Sequence, residues 1–132
     1  MSKTDQPNLP VTINLESENY QPDDSEWQEE CHQLYRQIKS ILDAGTIEPL
    51  KVSKEGKGYR GGFIEIFNTV TAGIASIGGL SVIIDLAKLW LEHRKGSEIT
   101  LKFPDGSEMK ISSASKEDIL KLYEKQLARQ RK

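Results

Sequence analysis

The nineteen residues from Ile66 to Ile84 carry no charge, and Glu65 and Asp85 close the run at its two ends. A stretch of about 20 apolar residues is what a helix needs to cross a bilayer. A chain of 132 residues must therefore either commit this segment to a membrane or cover it with nearly everything else it has. The composition favours covering it. Asn68, Thr69, Thr71, Ser76 and Ser81, with Gly73, Gly78 and Gly79, dilute the apolarity well below that of a strong span. The run reads as a buried central helix. Its second half is amphipathic, because Leu80, Ile83, Ile84, Ala87, Trp90 and Leu91 recur at three and four, with Asp85, Lys88, Glu92 and Arg94 opposite. Gly78-Gly79 reads as a break or kink in that helix. The small residues Ala72, Gly73, Ala75, Ser76 and Gly79 would admit another backbone closely, from a sheet or from a second subunit. Insertion of residues 66–84 into a membrane after a trigger is the alternative, with Lys51, Lys54, Lys57 and Arg60 on one flank and Lys88, Arg94 and Lys95 on the other.

Around this run the periodicities define the remaining elements. Val11, Ile13 and Leu15 alternate with Thr12 and Asn14, the pattern of a half-buried strand. Pro22 and two aspartates make a turn, and Ser25 with Gln28 three residues on has the form of a capping box, so a helix starts at about Glu26. Its stripe is Trp27, Cys31, Leu34, Ile38, Ile41 and Leu42, and Gly45 ends it. Residues 46–52 read as a second short strand, where Pro49 removes a ladder donor and implies an edge or a kinked entry. Ile99, Leu101 and Phe103, the turn Pro104-Asp105-Gly106, and Met109 with Ile111 make a hairpin with one apolar face. Ser115 with Asp118 caps a last helix that packs Ile119, Leu120, Tyr123 and Leu127. The expected architecture is a small single α+β domain: two short N-terminal strands around a helix, a long glycine-containing central helix, a C-terminal β-hairpin and a closing helix. Residues 1–9 are expected as a disordered acidic leader, 10–128 as the domain and 129–132 as a frayed basic tail.

Charge is distributed unevenly. The first thirty residues hold eight acids against Lys3 alone, whereas the rest carries 17 basic and 12 acidic groups. An acidic leader ahead of a mildly basic body competes with any polyanion for that body, which disfavours nucleic acid as a partner. One cysteine forms no intramolecular disulfide and no Cys/His cluster is present to bind zinc, so neither a stapled fold nor a metal site is expected. The N-terminus lacks an apolar core behind a basic start, and the cytoplasm is the expected compartment.

Few groups offer chemistry. Cys31 and His32 are neighbours, but adjacent helical residues point about 100° apart and do not pair as nucleophile and base. Cys31 lies on the apolar stripe and is expected buried; His93 lies near a helix end beside Arg94 and Lys95, where positive groups favour the C-terminal dipole. Glu65 suits a helix start, and Asp85 is expected to face solvent. The loop from Lys51 to Gly62 combines glycines with Lys54, Lys57 and Arg60 and could cradle a phosphate, with Tyr59 available to stack on a base. It lacks the order of a P-loop, so nucleotide or nucleic-acid binding there is the second alternative. No hydrolytic triad, metal site or cofactor site can be assembled, and the expectation is a protein that is not an enzyme.

From Ile41 to about Leu127 the chain resembles the effector-associated constant component family of bacterial conflict systems. The resemblance rests on Gly58-Tyr59-Arg60-Gly61-Gly62, on the helix ending from Asp85 to Arg94, and on the hairpin from Ile99 to Gly106 with its closing helix. It implies a non-catalytic adaptor or anchor that couples an effector, such as a peptidase, to its partners in defence, and it carries no catalytic residue across. The expected role is therefore a self-associating interaction module. The expected interface is the Gly73 to Gly79 face with Ile74, Ile77 and Gly78, where Gly78→Leu would disrupt assembly; Lys57, Tyr59 and Arg60 are further contact candidates.

Overall fold

The computed structural model describes residues 9–21, 24–41, 47–53, 63–74 and 76–130. The elements run β1 (Leu9–Ser17), α1 (Ser25–Ile41), β2 (Ile47–Ser53), β3 (Phe63–Ile74), α2 (Ile77–Glu92), β4 (Ser97–Lys102), β5 (Glu108–Lys110) and α3 (Lys116–Gln130). The five strands form one antiparallel sheet in the order β2-β3-β1-β4-β5. This is a small α+β domain. β1 begins at Leu9 and α3 runs to Gln130, slightly outside the expected limits of 10 and 128.

One face of the sheet builds the core. Leu9, Val11, Ile13 and Leu15 alternate inward along β1, and the register sets Val70, Ala72 and Ile74 beside them on one side and Ile99 and Leu101 on the other. Against that face lie Trp27, Cys31, Leu34 and Ile38 of α1, then Leu80, Ile83, Ile84, Ala87 and Trp90 of α2, and Ile119 and Tyr123 of α3. α2 touches both other helices. The buried Tyr123 hydroxyl donates to the Ile74 carbonyl at 3.0 Å, so α3 is tied to the end of β3 by a satisfied polar group.

The uncharged run is not one helix. Residues up to Ile74 form β3, and the helix starts only at Ile77. The reason is local: Phe63, Ile64, Ile66, Phe67, Thr69, Val70 and Thr71 are aromatic or β-branched, which suits a pleated strand. From Thr69 the burial alternates at period two, half-buried Thr69, buried Val70, exposed Thr71, buried Ala72. Ser76 then caps α2 with extended backbone (φ −144°, ψ 153°), its hydroxyl accepting the Gly79 N–H at 3.1 Å. Gly78 and Gly79 therefore form the first turn of α2 and kink nothing. Glu65 stands in β3 opposite Lys51, away from any helix start.

The N-terminal half holds two more outcomes. β2 is an outer strand and its register against β3 shifts between Pro49 and Leu50, as a proline at that position implied. The capping box does not form as expected, because the Gln28 amide turns to β3: its Oε1 accepts the Phe67 N–H at 2.7 Å and its Nε2 donates to Asn68 Oδ1 at 3.4 Å. Gly45 and the loop 54–62 lie outside the described residues.

The C-terminal hairpin forms as expected, with Gly106 at φ 94° in its turn. Asp105 accepts the Ser107 N–H at 2.8 Å and pairs with Arg129 at 3.1 Å. The Ser107 backbone N–H above all, with the Arg129 guanidinium beside it, holds the Asp105 carboxyl down at about 2 from an ordinary 3.8. A lowered folded value means that the contribution of this carboxylate is complete above roughly pH 4, the unfolded value, and is lost as pH falls through the folded one. Asp105→Asn should therefore lower the urea midpoint at neutral pH, and the gap from the parent should close between pH 4 and pH 2, within about 0.5 unit. A gap unchanged across that window would show that the charge is not what matters.

Candidate functional site

Among the described residues, the exposed large apolar side chains all belong to α2: Ile77 is 39% exposed, Val82 42% and Leu89 53%. Val82 and Leu89 stand seven residues apart, two helical turns, and so share one outward line, with half-buried Leu86 between them. The charges that border this line are held by neighbouring elements. Asp85 pairs with Lys116 of α3 at 2.9 Å, and Lys88 donates to the Ala114 carbonyl at 3.5 Å. At the helix end Arg94 pairs with Glu30 of α1, donates to the Trp90 carbonyl at 3.2 Å and lies 4.5 Å from the centre of the Trp90 ring. Trp90 in turn donates from Nε1 to the Glu30 carbonyl at 3.3 Å. The apolar line is thus presented by a helix anchored on both sides, which lowers the entropy cost of docking onto it.

The groups with reactive potential are used in packing. Burial and the adjacent Glu30 raise the Cys31 thiol to about 12, against a smaller opposing effect of Arg94, so at neutral pH it carries no thiolate to attack with. His32 stacks on Tyr35 at 5.7 Å and tilts against Phe67 at 4.3 Å, on a different side of α1 from the thiol. His93 terminates α2: its N–H reaches the Trp90 and Leu91 carbonyls, and its ring Nδ1 lies 3.1 Å from the Leu89 carbonyl oxygen. Asp85 faces solvent apart from its lysine partner. No group of three or more His, Cys, Asp or Glu among the described residues is placed to hold a metal ion, and no helix there is long and apolar enough to cross a membrane.

The expected Gly73 to Gly79 face does not assemble. Gly73 and Ile74 are buried at the end of β3, whereas Ile77, Gly78 and Gly79 open α2, so one helical face cannot contain them all. A Cβ built on Gly78 finds its nearest neighbour, the Ser76 hydroxyl, at 4.0 Å, and Gly78→Leu meets no close-packed backbone there. Lys57, Tyr59 and Arg60 lie outside the described residues. Of the expected set, Ile77 alone joins the exposed apolar group. Val82 and Leu89 were missed because the stripe of Leu80, Ile83, Ile84, Ala87 and Trp90 already accounts for a core-facing helix. The available signal was surplus: two further large apolar residues on the polar side of that stripe. No family model, curated protein or solved structure matches the chain.

Proposed function

We propose that this chain is a non-enzymatic interaction module that self-associates and couples an effector, such as a peptidase, within a bacterial conflict system, acting in the cytoplasm. The observation that carries the proposal is the line of Val82 and Leu89, exposed on the outer side of one anchored helix, with Ile77 exposed separately at the start of that helix. Exposed apolar side chains scattered singly need no explanation, but two aligned over two turns of one helix, with half-buried Leu86 between them, form a continuous strip suited to association. The likeness of the Gly58 to Gly62 approach, the α2 ending and the closing hairpin to the effector-associated constant component family supports the effector part of the proposal. Tagged chain co-expressed with the effector encoded beside its gene is the test. Recovery of a complex is the expected result, and a chain that neither retains the effector nor exceeds its own 14.9 kDa in solution would overturn the proposal.

A further inference from the structure

The sheet splits at one end. β1 stays paired with β4 as far as Ser17↔Ser97, but its pairing with β3 stops at Asn14↔Thr69. The Glu18 N–H donates to the Gly96 carbonyl at 2.9 Å, which fixes the alternation: peptide groups of even-numbered β1 residues face β4, and those of Leu15 and Ser17 face the side that β3 leaves. β3 is drawn off by Gln28, whose Oε1 accepts the Phe67 N–H, while the β2–β3 register shifts over the same stretch. The fork so formed is a cleft of about 620 Å³ lined by Asn14, Glu16, Ser17, Tyr20, Trp27 and Asn68, and also by the acids Glu18 and Glu98 against the single cation Lys110. Tyr20 stacks on Trp27 at 5.7 Å and gives it an aromatic wall.

We propose that this fork accepts an extended, cationic segment of a partner protein as an added strand. Main-chain pairing to β1 would supply the affinity and alternate side chains the choice of partner. The charge requirement comes from Glu16, which stands directly opposite Glu98 across the β1–β4 pair, an arrangement of like charges that a sheet ordinarily avoids. Glu98 is occupied, its carboxylate accepting from the Ile99 N–H at 3.1 Å and from the Ser112 N–H at 3.2 Å and hydroxyl. None of the ion pairs among the described residues involves Glu16. A lysine or arginine from an added strand would fill that position, with Glu18 alongside. The outer edges of the sheet are poorer templates. On β5 the Lys110 carbonyl already accepts from the Ser113 and Ala114 N–H groups at 3.2 and 2.9 Å, and β2 carries Pro49 and its register shift.

This inference deepens the interaction-module proposal by giving the partner a binding site, and its test separates the two. The probe is the blocked pentapeptide Lys-Val-Lys-Val-Lys, titrated into the full chain and followed by amide NMR shifts. Binding with shifts centred on Leu15 to Ser17 is expected, together with a loss of at least about tenfold on N-methylating alternate peptide nitrogens. Glu16→Lys is expected to reverse the preference in favour of the Glu-Val-Glu-Val-Glu peptide by about tenfold, with unfolding measured alongside to confirm that the variant is folded. Binding that ignores N-methylation or peptide charge, or shifts centred on α2, would overturn the inference. So would absence of peptide binding by a chain that still self-associates, which would leave the interaction-module proposal standing.

Discussion

Trp27→Ala is expected to cost roughly 3–5 kcal/mol of folding stability, the range for truncating a large buried aromatic. The ring is 2% exposed and sits where three elements meet. Tyr20, just beyond β1, stacks on one side of it, and Trp90 of α2 approaches at 5.8 Å with its plane tilted 53°. Removing it leaves a cavity bordered by Tyr20 and by Trp90, whose ring is held in place by its Nε1 hydrogen bond to the Glu30 carbonyl. Such a site collapses poorly, which places the cost toward the upper end of the range. A domain of this size holds only about 5–15 kcal/mol in total, so the variant should unfold at a much lower urea concentration with an unchanged slope. A loss below about 1 kcal/mol would mean that the ring carries little of the α1–α2 packing.

The second large effect is on assembly. Val82→Glu combined with Leu89→Glu should reduce the solution mass to that of a single chain, because two carboxylates on the outward line of α2 would be desolvated by any partner helix seated there. Both positions are exposed, so the same pair should leave the unfolding free energy within about 1 kcal/mol of the parent. Gly78→Leu, at an open position in the first turn of α2, should not have that effect. The contrast separates the line of Val82 and Leu89 from the small-residue stretch before it. It also separates loss of association from loss of folding, since only the first is expected.

Much of this architecture is legible in the sequence because local pattern and tertiary role agree. The alternation along Val11 to Leu15, the α1 stripe from Trp27 to Ile38, the hairpin around Gly106 and the Ser115 cap each state their own period, and each forms accordingly. The run from Ile66 to Ile84 is different, since the absence of charge reports burial and not period. β3 is flanked by β2 and β1 and α2 is packed on the sheet, so a strand and a helix share one uncharged stretch. The β-branched residues up to Thr71 marked the strand half, and counting charges alone passed over them. Gln28 shows a second limit. Its spacing from Ser25 suits a cap, but its amide serves Phe67 and Asn68, thirty-nine and forty residues away, a pairing no local pattern encodes. The fork it holds open was invisible for the same reason; the outward line of α2 was legible only as a surplus of apolar residues, since its exposure depends on how α1 and α3 flank it.

Sedimentation of the parent chain and of the Val82→Glu/Leu89→Glu pair, side by side at one concentration and without detergent, shows whether the chain associates through the outward line of α2. A parent mass of at least twice 14.9 kDa and a folded double variant at 14.9 kDa are expected. A parent that sediments as a single chain, or a double variant that keeps the parent's mass, would contradict association through that line.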